Sequence, residues 1–566
     1  VHVRPAPASR GLIYDRNGIL LADNRPTYNL TVVAERTNDI DRLIATIGSL
    51  IDISEDDIKS FKKRLRRRIP YEKTTLKFNL TEQERGILAV NGYLLAGVQV
   101  SARLTRFYPE GELFAHVIGY VGRINEQEIQ RIDRAKYSGT DSIGKIGLES
   151  FYEAQLLGSV GTEQVETNAR GRVMRILDNV DPVPGENLTI HIDSRLQRVA
   201  YKAFKGERGA LVAIDVTTGG ILAMISAPSY DPNLFVSGIS QVEYSALLDS
   251  PAQPLFDRSI RGQYPPGSTI KPLFGLIGLA SNSISMDYAI DDPGYFIMEG
   301  IERPWRDHNS KLGGHGKGVG LARAIIESCD VFFYKMSIKI GIDLLSKYSK
   351  KFGLGQVTGI DIHGEQPGIM PSRSWKKSAR GESWFNGDTI NVSIGQGFML
   401  TTPLQLGVMM ARIASKGKMV KPQLVKSSNG NPVIGSENTE SIGIDAEHWA
   451  YIHQAMKAVV HSPRGTARRI NRDLNYTIAG KTGTAQVISI KAEEEYDSSK
   501  IDKSQWDHAL FVAFAPVENP QIAIGLIVEN GEHGSSAAAP IARLVMDAYM
   551  KTKAGSHQST ESEVLH

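Results

Sequence analysis

The chain has 566 residues, a length that predicts about two to four domains with a large buried core. Its hydrophobic content of 41% and charged content of 22% are those of a globular protein, and a net charge of +3 argues against a nucleic-acid partner. One cysteine excludes an internal disulfide framework, and no run of about 18 apolar residues predicts a membrane span. Because the sequence starts at Val1 and not at methionine, we expect a leading segment to precede it.

Residues 1–185 are predicted to form a first, non-catalytic domain. An Asn17-Gly18 pair lies between two apolar runs, which is the pattern of a β-hairpin. Residues 54–69 predict a helix that Ser54 caps. One face of this helix carries six lysine and arginine residues. That face suits an anionic lipid or polymer, but we favour the simpler interpretation of a solvated helix surface.

Residues 186–552 are predicted to form a second domain, followed by a disordered polar tail at 553–566. Helical patterns fill the middle of this domain. Strand-like runs lie at both of its ends, at 210–215, 221–226, 483–489, 509–515 and 521–529. This order predicts an α+β fold in which strands from both ends of the domain form one antiparallel sheet covered by helices.

The pair Ser268 and Lys271 is the first candidate for catalysis. Residues three apart are neighbours on one helical face. A serine hydroxyl becomes a good nucleophile when a base takes its proton, and a lysine acts as that base if burial or a nearby positive charge lowers its pKa. The apolar run that follows Lys271 predicts such burial. The Ser-x-x-Lys pattern is weak by itself, because it also occurs at Ser60, Ser142 and Ser374.

Two further motifs select Ser268 among these matches. Ser328-Cys329-Asp330 precedes an apolar helical run, and Lys481-Thr482-Gly483-Thr484 stands at the start of a predicted strand. Ser-x-x-Lys, Ser-x-Asn/Asp and Lys-Thr-Gly in this order are typical of the penicillin-recognising serine enzymes. A phosphate-binding loop ending at Lys481 is excluded, since it needs glycine at position 475, where Asn475 stands.

On these motifs, the chain resembles the class B penicillin-binding proteins, and within them the branch that acts in rod elongation. Further motifs that carry the resemblance are Arg10–Gly18, Tyr108-Pro109, Gly119–Gly122, Gly144–Glu149, Ile394–Gly397 and Gly480–Gln486. The resemblance implies an elongated pedestal with anchor and head subdomains at 1–185. It also implies a transpeptidase domain built on a five-stranded antiparallel sheet. A membrane helix outside this sequence would hold the protein at the periplasmic face of the inner membrane.

The resemblance also implies a role for each catalytic candidate. Ser268 would attack the carbonyl of the penultimate D-alanine of a peptidoglycan stem peptide, with Lys271 as its base. Ser328 would relay a proton between Lys271 and the leaving amine, and Lys481 would supply a positive field that keeps Lys271 neutral. A β-lactam would enter as a mimic of the donor and stay bound. This chemistry requires no cofactor.

The third motif is expected to bind the substrate. The hydroxyls of Thr482 and Thr484 suit the terminal carboxylate of the donor, with Gly483 between them. Backbone N–H groups of Ser268 and Thr484 would hold the oxyanion. Asp330 stands where the wider family usually has asparagine, and an ionised aspartate accepts hydrogen bonds but donates none. We therefore expect Asp330 to pair with a lysine, either that of the first motif or that of the third.

A metal site is a separate hypothesis. Asp292, Asp307, His315 and Cys329 offer a ligand set that suits tetrahedral zinc. Their spacing is not that of a zinc finger, and the alternative is a small buried cysteine beside unrelated loop residues. We favour a structural Zn²⁺, because the loop is glycine-rich and polar, with little apolar material to hold it beside the second motif.

Two other kinds of function fit parts of this pattern, namely a hydrolytic enzyme and a non-catalytic scaffold. A D,D-carboxypeptidase or a β-lactamase would share the acylation step but send water to the acyl-enzyme, and the length of the chain and its pedestal argue against both. A scaffold or penicillin sensor would act through its partners alone. The expected partners are peptidoglycan stem peptides, β-lactams, a membrane glycosyltransferase and proteins of the elongation complex, with no nucleic acid.

Overall fold

A computed structural model of the chain describes residues 2–37, 39–66, 73–167, 173–301, 303–433, 440–487 and 498–563. The described elements fall into an N-terminal part with long strands and a C-terminal part in which helices cover a central sheet. Within the described residues, no helix is long and apolar enough to cross a bilayer.

The predicted hairpin at Asn17-Gly18 is confirmed. Ile13–Tyr14 pairs in antiparallel fashion with the beginning of the long strand Leu20–Val33. That strand then pairs along ten residues with Val98–Phe107, and its end pairs with Lys73–Lys77. Three helices contribute the small apolar core on this sheet, at Ile40–Leu50, Glu55–Leu65 and Glu82–Val90.

The cap of the basic helix is also confirmed. The hydroxyl of Ser54 accepts a hydrogen bond from the N–H of Asp57, and the helix runs over Glu55–Leu65. The remainder of the helix predicted at 54–69 falls mostly on residues outside the described ranges. The long side chain of Lys62 is 46% exposed and pairs with Asp41, as expected for a solvated helix face.

The rest of the N-terminal part consists of short elements. A three-stranded antiparallel sheet contains His2–Ala6, Gly161–Thr167 and Val173–Val180. A two-stranded sheet pairs Val121–Arg123 with Ser142–Gly144. The helices here are Ala115–Ile118, Glu126–Ile129, Gly147–Phe151 and Glu153–Leu157.

One strand ties the two parts together. Leu188–Ile190 pairs in parallel with Ile13–Tyr14 and in antiparallel fashion with Val425–Ser428, which in turn pairs with Asn431–Pro432. A continuous sheet therefore crosses the predicted boundary at residue 185, and both sides of that boundary share one hydrophobic core. The division into 1–185 and 186–552 stays a prediction.

The central sheet has five antiparallel strands, in the order Ile221–Ala227, Gly209–Asp215, Ile522–Val528, His508–Ala515 and Ala479–Ala485. Strands from the beginning and the end of the predicted second domain thus meet in one sheet, which confirms the α+β prediction. Every residue of Ile522–Val528 is buried, so other elements cover both faces of the sheet. Ala479–Ala485 is an edge strand, and it begins four residues earlier than predicted.

Helices surround this sheet. Their bounds are Ser194–Ala203, Asn233–Val236, Gln241–Leu248, Lys271–Ala280, Leu321–Glu327, Asp330–Ile340, Ile342–Lys351, Arg373–Arg380, Asn386–Ser393, Pro403–Ala414, Ala446–His461 and Ala539–Glu563. Two small hairpins pair Ala289–Asp292 with Gly316–Gly320 and Tyr295–Phe296 with Trp305–Arg306. The tail at 553–566 is predicted to be disordered. The side chains from residue 554 onwards lie outside the described part of the chain, so its disorder stays a prediction.

A buried ionic cluster centred on Glu149 joins distant segments of the N-terminal part. One carboxylate oxygen accepts from Nε of Arg10 at 2.6 Å, and the other accepts from Nε of Arg106 at 2.6 Å and from the hydroxyl of Tyr108 at 3.2 Å. Glu149 is fully buried. Burial opposes its ionisation, but the two guanidinium groups outweigh that effect and hold the pKa of Glu149 below its usual value.

Glu149→Gln should therefore destabilise the fold. Removing one partner from a buried ion pair costs about 3 to 5 kcal/mol, so we expect a loss of unfolding free energy of that size near neutral pH. Because the folded pKa is lowered, the contribution of Glu149 is complete above the unfolded carboxyl pKa of about 4.3 and is lost as the pH falls through the folded value. The difference between variant and unmodified protein should shrink accordingly, measured by urea unfolding at a series of pH values.

The exposed Glu82 provides the control for this experiment. Glu82→Gln should change the unfolding free energy by no more than about 0.5 kcal/mol at any pH. A Glu149→Gln protein that is as stable as this control at neutral pH would contradict the assignment.

Candidate active site

Ser268 lies in a short 3₁₀ turn, Gly267–Ile270, that leads into the buried helix Lys271–Ala280. Gly267 has a positive φ of 54°, and a Cβ atom there would stand 2.4 Å from the carbonyl oxygen of Thr484. Only glycine therefore lets the turn approach the edge strand this closely. The N–H of Gly267 donates to the carbonyl of Gly395 at 3.0 Å, which fixes the turn from its other side.

Behind the turn, two lysines meet at one serine. Nζ of Lys271 donates to Oδ1 of Asp330 at 2.6 Å, to the carbonyl of Ser328 at 2.8 Å and to Oγ of Ser328 at 3.2 Å. Nζ of Lys481 lies 2.9 Å from the same Oγ. Both lysine side chains are fully buried. The structure thus brings together Lys271 of the first motif, Ser328 and Asp330 of the second, and Lys481 of the third, and Asp330 pairs with the lysine of the first motif.

The surroundings of the two lysines differ. The expectation that Lys481 keeps Lys271 neutral stays a prediction. In the structure, burial and then the positive charge of Lys271 lower the pKa of Lys481 well below its usual value. Burial disfavours the charged form of Asp330, but Lys271 and His308 together bring the pKa of this carboxyl well below its usual range. Lys271 is therefore the lysine with an anionic partner, and Lys481 is the one driven towards neutrality.

The third motif lies within the edge strand Ala479–Ala485 and not at its start. Thr482 is buried, and its hydroxyl lies 2.9 Å from that of Thr466. Thr484 is partly exposed, and its carbonyl accepts from the side-chain amide of Gln396 at 3.1 Å. The segment that carries Gly395 and Gln396 therefore contacts both the turn of the first motif and the strand of the third.

The second motif is held between two helices. Ser328 follows Leu321–Glu327 with a left-handed φ of 63°, which is unfavourable for a residue with a Cβ atom. Asp330 begins the next helix, and its N–H donates to Oδ2 of Asp307 at 2.6 Å. The carboxylate of Asp307 thereby holds the start of this helix and helps fix the strained serine.

The four predicted metal ligands converge. Their ligand atoms all lie within 4.8 Å of one another, and the residues are buried: Asp292, Asp307, His315 and Cys329. Oδ2 of Asp292 is 2.7 Å from Nδ1 of His315 and 3.3 Å from Sγ of Cys329, and Nδ1 of His315 is 3.6 Å from Oδ1 of Asp307. The ligand atoms of tetrahedral zinc stand about 3.3 to 3.8 Å apart. The set fits this geometry if the distance of 2.7 Å between Oδ2 of Asp292 and Nδ1 of His315 increases by about 0.6 Å.

The thiol of this cluster lies in unfavourable surroundings for a free anion. Burial and the neighbouring Asp307 carboxylate raise the pKa of Cys329. A bound cation would lower the pKa of Cys329 again, since a thiol that coordinates a metal loses its proton.

Sequence reasoning missed a second buried network behind the nucleophile. The hydroxyl of Tyr264 donates to Oε1 of Glu529 at 2.7 Å, and Nε of Arg258 donates to the same oxygen at 2.9 Å. Backbone hydrogen bonds in both directions join Tyr264 to Thr401. This network anchors the segment that leads to Ser268. Nothing in the sequence marks Glu529, which stands 265 residues from Tyr264.

Sequence reasoning also missed His308. Its N–H donates to Oδ2 of Asp330 at 3.1 Å, and its ring nitrogen Nδ1 is 3.2 Å from Oδ1 of Asp307. The side chain is 51% exposed, so it stands at the outer edge of the cluster. The sequence feature that could have identified His308 is its position directly after the metal-ligand candidate Asp307.

Comparison with known families agrees with this arrangement. Residues 209–547 match the family described as "Penicillin binding protein transpeptidase domain", and residues 5–190 match the "Penicillin-binding Protein dimerisation domain". The chain therefore belongs to the penicillin-binding proteins that combine a dimerisation domain with a transpeptidase domain.

Within this family, the chain is similar to the following individual proteins. The chain is 43% identical over 557 residues to the protein named peptidoglycan D,D-transpeptidase MrdA of Acinetobacter baumannii, covering 98% of this chain and 82% of the relative. It is 39% identical to Pseudomonas aeruginosa PBP2, solved in complex with WCK 5153, with a TM-score of 0.75 and coverage of 97% and 96%. Helicobacter pylori PBP2, solved in complex with MreC, is 29% identical, with a TM-score of 0.82 and coverage of 97% and 98%.

Ser328→Ala tests the connection between the two lysines. Both amines contact the hydroxyl that this change removes, and its loss interrupts proton transfer between them. Groups that transfer protons typically contribute a factor of about 100 to 10,000 to a rate, so we expect penicillin to acylate the variant at least about 100-fold more slowly. The measurement is the second-order rate constant for labelling by a fluorescent penicillin.

Ser337→Ala is the matched control, because Ser337 is also buried and its hydroxyl donates to the carbonyl of Tyr334, away from the lysines. This control should be acylated at the rate of the unmodified protein. Equal rates for the two variants would contradict a connecting role for Ser328.

Proposed function

We propose that this chain is a peptidoglycan D,D-transpeptidase that cross-links stem peptides during rod elongation, with Ser268 as its nucleophile. The observation that carries the proposal is the buried contact of Lys271 and Lys481 with one hydroxyl, that of Ser328, directly behind the turn of Ser268. The relationship to the D,D-transpeptidase MrdA over almost the whole chain supports the same reaction class.

The acylation step requires a neutral amine near Ser268. The lowered pKa of Lys481 makes it the amine with a free electron pair. Lys271 gives a proton to Oγ of Ser328 while Ser328 gives its own proton to Lys481. Lys271 then takes the proton of Ser268 as its oxygen attacks the donor carbonyl. The first transfer leaves the summed charge of the two lysines unchanged. The positive charge that Lys271 gains from Ser268 is balanced by the oxyanion that forms on the donor, and Asp330 remains ionised throughout.

Collapse of the tetrahedral intermediate needs the proton to move in the opposite direction. Lys271 returns a proton to the departing D-alanine amine through Ser328, which leaves an ester on Ser268. The amine of a neighbouring stem peptide then attacks this ester. Lys271 takes the amine proton and passes it to Oγ of Ser268 as the ester C–O bond breaks, which completes the cross-link. A β-lactam acylates the same serine as a mimic of the donor, with opening of its ring amide.

The third motif would hold the donor. Thr482, Gly483 and Thr484 run along a sheet edge beside the nucleophile turn, so an extended stem peptide can align with this strand. The backbone N–H groups of Ser268 and Thr484 would bind the oxyanion, and removing one such donor from an enzyme typically costs about 3 to 4 kcal/mol of transition-state stabilisation.

A structural Zn²⁺ would hold the loop beside the second motif. The proposed ligands are Asp292, Asp307, His315 and Cys329, whose atoms fit a tetrahedral set. When bound, the ion supplies only structural support, because the site is buried and its ligands belong to four separate segments. Cys329 is the middle residue of the second motif, and Asp307 accepts from the N–H of Asp330, so the ion would fix the position of this motif.

The proposed setting is the periplasmic face of the inner membrane, with a membrane helix that precedes this sequence. The complex of Helicobacter pylori PBP2 with MreC supports partners from the elongation machinery. A membrane glycosyltransferase would supply the glycan strands that carry the stem peptides. The first domain, which contains long strands and none of the proposed active-site residues, is the proposed surface for these partners.

Labelling with a fluorescent penicillin, followed by peptide mapping, tests the nucleophile. We expect one adduct that persists through the work-up, on the peptide that contains Ser268, and no adduct in Ser268→Ala. The control Ser374→Ala, at another Ser-x-x-Lys match, should be labelled like the unmodified protein. An adduct at any other residue would overturn the assignment, and rapid loss of the adduct would indicate a β-lactamase.

Metal analysis tests the zinc site. We expect about one zinc per chain in the unmodified protein and clearly less in Cys329→Ser, because the thiolate is the strongest of the proposed ligands. Asp291→Asn, next to the cluster but outside the ligand set, should keep its zinc. An unmodified protein that contains no stoichiometric zinc would refute the site.

A further inference from the structure

A polar cavity of about 120 Å³ lies in the N-terminal part, away from Ser268 and its partners. Its wall includes residues of the long paired strands, of the Val121–Arg123 hairpin and of the segment just after the helix Asn233–Val236. Four arginines line it: Arg10, Arg103, Arg106 and Arg123. The volume is several times that needed for one water molecule.

Arg106 is the residue that points to a ligand. It is 5% exposed, and its Nη2 is a fully buried donor without a hydrogen-bond partner among the described residues. The other nitrogens of this guanidinium are used, since Nε donates to Glu149 and Nη1 donates to the carbonyl of Gly11 and to Asn24. A buried donor on a charged group is costly to leave unpaired, so an acceptor inside the cavity would stabilise it.

The charges around the cavity favour an anion as that acceptor. Arg103 forms a bidentate pair with Asp141, and Arg10 and Arg106 share two carboxylates, Glu149 and Glu153. Three of the four arginines are thus balanced by three acids. Among the described residues, Arg123 forms no ion pair, and the carboxylates of Asp141 and Asp57 act on it only at longer range.

Arg123 is placed to bind at the mouth of the cavity. Its guanidinium carbon lies 4.0 Å from the centroid of the Phe78 ring, and its Nη2 donates to the carbonyl of Ser237 at 2.9 Å. Among the described residues, the other N–H groups of the Arg123 side chain form no hydrogen bond. The guanidinium is therefore held in one orientation by an aromatic face and a backbone carbonyl, with donors left for a ligand.

From these observations, we propose that the cavity binds a small anionic group, a carboxylate or a phosphate, between Nη2 of Arg106 and the guanidinium of Arg123. One such group would satisfy the buried donor and give the guanidinium of Arg123 a direct anionic partner. Because Arg123 also donates to the carbonyl of Ser237 in the C-terminal part, the anion would bind a residue that joins the two parts at a point separate from the shared sheet.

Isothermal titration calorimetry on the full chain tests this site, with sodium phosphate and sodium acetate as separate probes at constant ionic strength. We expect saturable binding of at least one anion. Arg123→Gln should weaken it about tenfold or more, because a charge-assisted hydrogen bond is lost. The control Arg134→Gln, at an exposed arginine outside the cavity, should bind like the unmodified protein. Binding of acetate identifies a carboxylate site, and binding of phosphate alone identifies a phosphate site.

A second variant, Arg106→Lys, tests the role of the buried arginine. Arg106→Lys retains a cation beside Glu149 but lacks the planar guanidinium fork that carries Nη2. If its thermal midpoint shows that it folds, its anion affinity should also fall about tenfold or more. If neither anion binds in a saturable way, or if Arg123→Gln binds as tightly as the unmodified protein, the cavity holds only water and the proposal is refuted.

Discussion

The buried ion pair between Lys271 and Asp330 is the contact on which the rest of the active site depends. Removing two charges from water costs several kcal/mol for each ion, and this cost is offset only where the remaining donors and acceptors are also satisfied. Here Lys271 has three acceptors, and Asp330 also accepts from the N–H of His308. The pair joins the helix that follows the nucleophile to the helix that follows Ser328. Burial and then the charge of Lys271 lower the pKa of Lys481.

The surrounding scaffold serves this contact through close backbone approach. Gly267 lets the nucleophile turn lie against the edge strand, and Gly395 lies against Gly267 so closely that a Cβ atom would stand 2.2 Å from its carbonyl oxygen. On the opposite side, Ser328 keeps a left-handed backbone because Asp307 fixes the helix that begins at Asp330. The proposed zinc ligands include that same aspartate. The proposed metal site and the proposed proton relay are therefore neighbours that share one structural support.

The N-terminal part is joined to this scaffold by more than a linker. A short strand at 188–190 belongs to a sheet with elements from both parts, and the hydroxyl of Tyr152 donates to Asp361 at 2.8 Å. Asp361 in turn accepts from the backbone N–H groups of Leu424 and Val425, beside the strand that completes that sheet. Movements of the first domain would consequently reach the second through hydrogen bonds, and a partner that binds the first domain has a physical route to the catalytic part.

The sequence by itself determined the α+β class, the early hairpin, the three motifs and the four metal-ligand candidates, because each depends on local spacing or on residue chemistry. Tertiary structure alone decided that Asp330 pairs with Lys271, that the lowered pKa falls on Lys481, and that Glu529 supports Tyr264. These outcomes depend on distances between side chains 59 to 265 residues apart. No local pattern encodes such distances, since they arise only when the helices and the central sheet pack and exclude water from the groups between them.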